Sequence, residues 1–173
     1  METTERIVEA YVRYIKRWAT IPNIRCGGQY EIDLLAIDPV TLSRYHIESG
    51  VSVSGSFSKL TDKPFSVDDL KQRVTGPSQR RTLGYFIERK FGEPSVLEAL
   101  AKYGFTDGNY IKVIVSWGWT TEAAHIAKEH GVELWDFRDL VKQIAETVKG
   151  GKSYFTDDTI RTLHLYSLAT RKS

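Results

Sequence analysis

Two acidic residues, Asp33 and Glu48, lie in extended segments that predict neighbouring β-strands. The segments span residues 29–37 and 44–54, and the turn-rich connection 38–41 between them has the length of a hairpin loop. Side chains two positions apart share a face of a strand, so Asp33 and Glu48 are predicted to meet across the hairpin. Two like charges about 4 Å apart repel by roughly 4 kcal/mol at an effective dielectric near 20. A divalent cation between them would remove that cost.

Strict alternation along the two strands also divides their apolar residues between the faces of the sheet. It places Ile32, Leu34 and Ala36 on the face opposite Asp33, and it places His46 on the same face as Glu48. For His46, a hydrogen-bonded strand histidine is favoured over a metal or phosphate ligand.

Magnesium suits such a carboxylate pair, because it takes oxygen ligands and keeps positions for water and phosphate. The chemistry that this arrangement serves is phosphodiester cleavage, in which the ion polarises a phosphoryl oxygen and activates a bound water. The alternative for Asp33 and Glu48 is a pair of solvated side chains on an exposed sheet face.

Several segments of the chain resemble the PD-(D/E)xK nucleases, in particular their Mrr-like and Holliday-junction-resolvase-like branches. Residues 28–36, GQYEIDLLA, resemble the strand that carries the motif aspartate, and residues 45–48, YHIE, resemble the strand that ends in the motif acid. The first helix, which carries Glu5, and the closing strand, helix and strand at 111–117, 121–128 and 132–136 also resemble the family. The resemblance covers about two thirds of the chain and leaves roughly residues 55–105 and the tail uncovered.

The resemblance implies an α/β, restriction-endonuclease-like fold with a mixed central sheet of four to five strands flanked by helices on both faces. It implies Mg²⁺ or Mn²⁺ as cofactor, with Asp33, Glu48 and the Ser49 carbonyl as metal ligands and with Glu5 nearby in the catalytic site. For Glu5 the alternative is a simple helix-dipole role, because acidic residues are favoured in the first turn of a helix.

The sequence departs from the family pattern at the lysine, because Glu48-Ser49-Gly50 places glycine two residues after the acid. Loss of one positioned proton-transfer group typically costs 10²- to 10⁴-fold in rate. Lys71 is the preferred substitute, and Lys59 and Lys63 are the alternatives in a loop.

The only concentrated positive charge lies between residues 71 and 90, a segment that contains six basic residues and one acidic residue. A nuclease must neutralise the charge of the phosphate backbone, so this segment is the predicted DNA contact. The residues predicted to contact nucleic acid are Arg73, Arg80, Arg81, Arg89 and Lys90. The alternative is a solvated helix face.

Hydrophobic periodicity and turn residues predict the elements that position these side chains. The first helix is expected to carry the aromatic stripe Tyr11, Tyr14 and Trp18 and to be followed by a break at Pro22 and Gly27. Helices are predicted over residues 4–19, 66–75, 79–91, 96–102, 121–130, 136–150 and 157–169, and strands over 29–37, 44–54, 110–116 and 132–135.

The composition fits one globular domain over residues 1–173, with a helical insertion at about 60–105 and a C-terminal helix at about 157–169. The chain has 41% hydrophobic and 27% charged residues, which excludes disordered and collagen-like classes. The net charge of +2 is too small to indicate a partner. The apolar runs of the chain are far shorter than the roughly 20 residues of a membrane span. With no secretory signal pattern and a single cysteine, Cys26, a cytoplasmic location is expected.

The sequence therefore predicts a magnesium-dependent DNA endonuclease of the restriction or resolvase type. Glycine at position 50 supports the alternative, a catalytically degenerate nuclease-fold protein that acts as a nucleic-acid-binding or assembly module. By analogy with dimeric relatives of the family, a homodimer is expected.

Overall fold

The computed structural model describes residues 2–51, 59–66, 82–150 and 155–170, and a mixed five-stranded sheet forms the centre of this part of the chain. The strands follow one another in chain order, β1-β2-β3-β4-β5. β1 to β3 pair antiparallel, whereas β3, β4 and β5 pair parallel. The bounds are Ala19–Arg25 for β1, Glu31–Ile37 for β2, Arg44–Ser49 for β3, Tyr110–Ser116 for β4 and Val132–Asp136 for β5.

Helices cover both faces of the sheet. α1 spans Thr3–Ala10 and continues as a π-helical segment, Tyr11–Ile15; α2 joins an α-helical turn, Leu83–Tyr85, to a π-helical segment, Phe86–Phe91. The other bounds are Pro94–Lys102 for α3, Thr121–Glu129 for α4, Phe137–Gly150 for α5 and Asp158–Ala169 for α6. The predicted fold class, α/β with a mixed sheet between helical layers, is confirmed.

The core is divided between the two faces of the sheet. On one face, α1 and α5 pack on the strands and α6 packs on these two helices, with Val12, Ile47 and Ile144 among the fully buried side chains. On the other face α2, α3 and α4 cover the sheet through two clusters, to which Phe86 and Leu100 belong. Burial on both faces explains the continuous apolar run at residues 113–115 of β4.

The first part of the chain differs from the sequence prediction. A helix was expected to reach residue 19, but the helical segment ends at Ile15 and the chain turns at Arg17, which has φ 62°. Trp18 therefore lies outside the helix, where it stacks on Tyr45 with ring centroids 4.2 Å apart. Pro22, predicted to break the chain, lies within β1. Among the described residues β1 is an edge strand paired on one side only, and proline is tolerated in such a strand.

The remaining predicted elements agree with the structure within a few residues. Strand β3 ends at Ser49 rather than at residue 54, and α2 is described from Leu83 onwards rather than from residue 79. The predicted helix at 66–75 lies almost entirely outside the described residues. Within the part of the chain that is described, no helix is long and apolar enough to cross a membrane.

Candidate active site

The candidate site lies where β2 and β3 separate. Their register runs from Ile37 opposite Arg44 to Leu34 opposite Ile47, and the next two residues in this register are Asp33 and Glu48. At this point side chains take part in the hydrogen bonding between the strands. The Ser49 N–H donates to Asp33 Oδ2 at 2.8 Å, and the Asp33 N–H donates to Glu48 Oε1 at 3.4 Å. The two predicted carboxylates are therefore brought together.

Strict alternation fails in β2 at Asp33. Ile32 and Leu35 belong to one core cluster, whereas Leu34 and Ala36 belong to the cluster on the other face of the sheet. Asn23, which faces Asp33 in the register of β1, has φ 53°, an uncommon value for a residue other than glycine. The expectation that Ile32 shares a face with Leu34 and Ala36 is therefore corrected by a local irregularity next to the site.

Lys90, which lies on α2, bridges the carboxylates of Asp33 and Glu48. Its Nζ lies 3.0 Å from Asp33 Oδ1 and 2.5 Å from Glu48 Oε2. It also donates to the Glu31 carbonyl oxygen at 3.0 Å. An ammonium group has three donors, so these three contacts can use all of them.

Burial makes the ionised forms of Asp33, Glu48 and Lys90 energetically unfavourable. Glu48 has no exposed surface and Asp33 is 9% exposed. Burial, reinforced by the charge of Glu48, raises the pKa of Asp33 to about 7, and burial also raises the pKa of Glu48. Burial lowers the pKa of Lys90, but the charges of Glu48 and Asp33 more than offset this effect, so the net direction is upward. When all three groups are ionised, one negative charge remains uncompensated.

His46 completes the buried group. It is fully buried on β3, and its Nε2 lies 2.7 Å from Glu48 Oε1. Burial lowers the pKa of His46 to about 3, so the ring is neutral in the folded protein. The structure agrees with the prediction of a hydrogen-bonded strand histidine on the same face as Glu48.

Phe86 takes the space that a side chain at position 50 would need. A Cβ built on Gly50 would lie 2.9 Å from Phe86 Cζ, closer than such atoms approach in proteins. Phe86 and Lys90 are four residues apart on α2, so the segment that closes the space beside Gly50 also delivers a lysine to the carboxylates. The same element, α2, thus restricts the space at position 50 and places Lys90 between the carboxylates.

Glu5 lies within electrostatic range of the pair. Burial and then the charge of Asp33 raise the pKa of Glu5. Its Oε2 accepts a hydrogen bond from the Glu2 N–H at 2.8 Å, as part of a capping box at the start of α1.

Apart from Lys90, the predicted nucleic-acid contacts and the predicted substitute lysine, Lys71, are not among the described residues that the structure places at the carboxylate pair. Lys71, Arg73, Arg80 and Arg81 lie outside the described residues. Arg89 is held by the Tyr30 hydroxyl at 3.0 Å and by Glu93 at 3.1 Å, and its guanidinium lies over the Phe65 ring.

Lys90, predicted as a phosphate contact, lies instead between the two carboxylates. Among the described contacts, neither Lys59 nor Lys63 forms an ion pair with them. The sequence signal that was missed is a lysine between Ile87 and Phe91, in an aromatic-rich segment that packs on the sheet.

The donor set fits one hard cation better than a closed metal cage. No cluster of three or more His, Cys, Asp or Glu side chains suited to a metal is found among the described residues. Asp33 Oδ1 and Glu48 Oε2 nevertheless converge on one point, now contacted by Lys90 Nζ. Two carboxylate oxygens with an excess negative charge suit Mg²⁺, which usually binds one or two carboxylates and keeps several waters.

Two solved structures are distantly similar to this chain. No family model matches the chain, and no curated protein matches it significantly. A repair endonuclease from Pyrococcus abyssi has 11% identity and a TM-score of 0.38, with 79% of this chain and 47% of that chain covered. A crystallised protein of unknown function has 16% identity and a TM-score of 0.46, with 94% and 78% covered. This chain thus spans about half the length of the repair endonuclease. At TM-scores below 0.5, neither similarity carries information about the chemistry of the site.

Proposed function

We propose that this protein is a divalent-metal-dependent DNA endonuclease of the PD-(D/E)xK type in which Lys90 takes the role of the motif lysine. The observation that carries the proposal is the bridge from Lys90 to Asp33 and Glu48. Lys90 lies 57 residues from Asp33 in the chain, yet it reaches both acids of the motif. The sequence pattern lacks a lysine at position 50, and the fold supplies one from α2.

Asp33 and Glu48 are the proposed metal ligands, and the Ser49 carbonyl is proposed as a third. Mg²⁺ or Mn²⁺ bound there would polarise the phosphoryl oxygen and activate a water for attack. The buried carboxylates favour such a cation, because they carry one more negative charge than Lys90 neutralises. Glu5 is proposed to add negative charge at the edge of the same site.

Lys90 is proposed to act as a charged hydrogen-bond donor rather than as a general base. Its pKa is raised by the carboxylates, so the ammonium keeps its proton at neutral pH. If the cation takes the place of Nζ between the two carboxylates, the donors that Lys90 now gives to Asp33 and Glu48 become free to orient the attacking water and to stabilise negative charge that develops on the phosphate. Removal of one such donor typically costs 10²- to 10³-fold in rate.

DNA remains the proposed substrate because of the basic segment between residues 71 and 90. Arg73, Arg80 and Arg81 are its proposed phosphate contacts. A homodimer, which would place two sites on one duplex, is proposed by analogy and is tested by sedimentation of the purified protein.

A second candidate function is a nucleic-acid-binding module without catalysis. It is favoured by the same Lys90 contacts, since an ammonium between the carboxylates already offsets much of their repulsion. In that case the three side chains would form a structural ion network. Breaking such a network is costly, so its presence does not by itself require a metal.

Incubation of purified protein with supercoiled plasmid and Mn²⁺ or Mg²⁺ distinguishes the two functions. The nuclease proposal predicts nicking that EDTA abolishes and that Asp33→Asn and Glu48→Gln each reduce at least 100-fold. Retention of DNA at low salt without nicking by the wild-type protein would favour the binding module. If the protein neither nicks nor retains DNA, both candidate functions are excluded.

A further inference from the structure

The Glu48 carboxylate is held asymmetrically. His46 Nε2 lies 2.7 Å from Oε1, and the Asp33 N–H also donates to Oε1, at 3.4 Å. The other oxygen, Oε2, faces Lys90. One oxygen of Glu48 is therefore anchored by the protein, and the other is presented to the site.

Asp33 is held in a similar way. Its Oδ2 accepts from the Ser49 N–H at 2.8 Å, whereas its Oδ1 faces Lys90 at 3.0 Å. The two presented oxygens converge on the same ammonium group. The anchors of the other two oxygens thus determine the geometry of the carboxylate pair.

The surroundings of the His46 ring indicate which atom donates the hydrogen bond between His46 and Glu48. When Glu48 is ionised beside the Lys90 ammonium, its carboxylate can only accept hydrogen bonds, so in that state His46 Nε2 carries the proton of the 2.7 Å contact. Nδ1 is buried, and it has no hydrogen-bond partner among the described residues. A bare Nδ1 leaves only an acceptor unsatisfied, whereas a protonated Nδ1 would leave a buried donor unsatisfied.

The position of the ring is fixed by packing. His46 lies edge-on to Phe91, with centroids 4.9 Å apart, and near Tyr110, at 6.2 Å. It has no exposed surface, so it cannot itself contact DNA. Its contact with Glu48 is the route by which it would influence the site.

We propose that His46 is a positioning residue that fixes Glu48 so that a single oxygen, Oε2, is available to the metal. This inference rests on the proposed function, since it assigns a role within the same metal site. Hydrogen-bonded partners of metal ligands typically contribute 10- to 100-fold in metal affinity or activity. Without the His46 donor, Glu48 Oε1 would keep only the 3.4 Å hydrogen bond from the Asp33 N–H, and the carboxylate could rotate.

The test compares His46→Gln with His46→Met in the full-length protein. The two replacements have nearly the same shape, but only glutamine can donate a hydrogen bond at the position of Nε2. Mn²⁺ affinity is measured from the free-ion signal in electron paramagnetic resonance, and plasmid nicking is measured over a range of DNA concentrations. His46→Asn, whose amide is too short to reach Glu48, is a second variant without the contact, and circular dichroism identifies the variants that fold.

The proposal predicts that the methionine and asparagine variants bind Mn²⁺ 10- to 100-fold more weakly, whereas the glutamine variant stays within a few-fold of wild type. The KM for DNA should not change, because His46 is buried. Equal Mn²⁺ affinity in all folded variants, or equal losses in the glutamine and methionine variants, would overturn the role of His46. Failure of the wild-type protein to bind Mn²⁺ would instead overturn the proposed function.

Discussion

At the scale of single residues, the site is a buried group with more negative than positive charge. Asp33 and Glu48 share one ammonium, and both have raised pKa values because burial disfavours their charged forms. Such a group is costly to the fold, and perturbed carboxylates of this kind are typical of functional sites. The balance of charge at Asp33, Glu48 and Lys90 makes two predictions about stability.

Replacement of Asp33 by Asn should stabilise the protein progressively as pH rises. In the folded protein the pKa of Asp33 is raised to about 7 from its ordinary value of 3.8, because the carboxyl group is buried beside Glu48. The folded chain therefore binds more protons than the unfolded chain between these pH values, so wild-type stability falls as pH rises through this window. Asp33→Asn lacks this pH-dependent loss of stability, so its advantage over the wild type should grow by about 3 kcal/mol between pH 5 and pH 8 and should level off above pH 7.

Urea unfolding at pH 5 and pH 8 without divalent cations measures this effect. Asp107→Asn is the control, because Asp107 is exposed and has no described ion pair. An advantage of Asp33→Asn that is the same at both pH values would contradict the assignment of a buried, repelled carboxylate.

Replacement of Lys90 by Met should destabilise the protein and abolish nicking. Removal of one partner from a buried ion network typically costs about 3–5 kcal/mol, because the remaining charges lose their compensation. Urea unfolding at pH 8 and a plasmid assay below the unfolding midpoint measure the two effects. Lys102→Met, on an exposed position of α3, should leave both unchanged. Wild-type nicking by a folded Lys90→Met variant would exclude the proposed role of Lys90.

The sequence predicted the pairing of Asp33 with Glu48 because both lie in one hairpin, where register and alternation are local properties. It did not predict the place of Lys90. That residue reaches the pair only through the packing of α2 on the sheet, a contact across 57 residues that no periodicity encodes. His46 was predicted correctly as a hydrogen-bonded residue, but the identity of its partner required the structure.

At the scale of elements, α2 connects the surroundings of Gly50 with the carboxylate pair. Phe86 fills the space beside Gly50, and Lys90, one helical turn further, enters the site. A lysine side chain at position 50 could not be accommodated without moving Phe86. With Phe86 in this position, the packing of α2 against β3 favours glycine at position 50.

Gly50→Ala should destabilise the protein by about 1–3 kcal/mol, the usual cost of overpacking a core. In a Phe86→Leu background the same substitution should cost less than about 1 kcal/mol, because the atom at 2.9 Å is gone. Urea unfolding of the four proteins gives this coupling energy. Gly27→Ala is the control, because its added Cβ would meet its nearest atom at an ordinary 3.5 Å. Equal costs of Gly50→Ala in both backgrounds would show that Phe86 does not restrict position 50.

Most elements could be predicted from the sequence because their apolar patterns and end signals agree. Pro94 opens α3 and Asp157 caps α6, as such residues commonly do. β1 was missed because Pro22 normally interrupts a strand, and only its edge position in the sheet makes it acceptable. The early end of the first helix was missed because tertiary packing, in which Trp18 stacks on Tyr45, overrides the helical spacing of the aromatic residues.

At the scale of the whole molecule, the described residues form a sheet with buried helices on both faces and a polar group at the point where β2 and β3 separate. The carboxylates project from central strands, so the surrounding core holds them together even though they repel. This arrangement fits a preorganised cation site, in which the free energy gained by folding offsets the repulsion between the two carboxylates. The stability of the whole protein should therefore respond to a cation that binds there.

Addition of Mn²⁺ should raise the unfolding temperature of the wild-type protein. A ligand at 100 times its dissociation constant stabilises the folded state by about 2.7 kcal/mol, which corresponds to roughly 5–10 °C for a chain of this size. Differential scanning calorimetry of wild type, Asp33→Asn and Glu48→Gln measures the effect, and the two variants should show no increase. The same increase in the variants would place Mn²⁺ binding elsewhere on the protein.

The central claim, that Asp33 and Glu48 hold a divalent cation beside Lys90, is tested most directly by anomalous diffraction from a crystal grown with Mn²⁺. The account predicts an anomalous peak between the two carboxylates, with Lys90 close by and the peak absent from Asp33→Asn crystals. Clear density for Lys90 bridging both carboxylates, with no peak between them at saturating Mn²⁺, would contradict it.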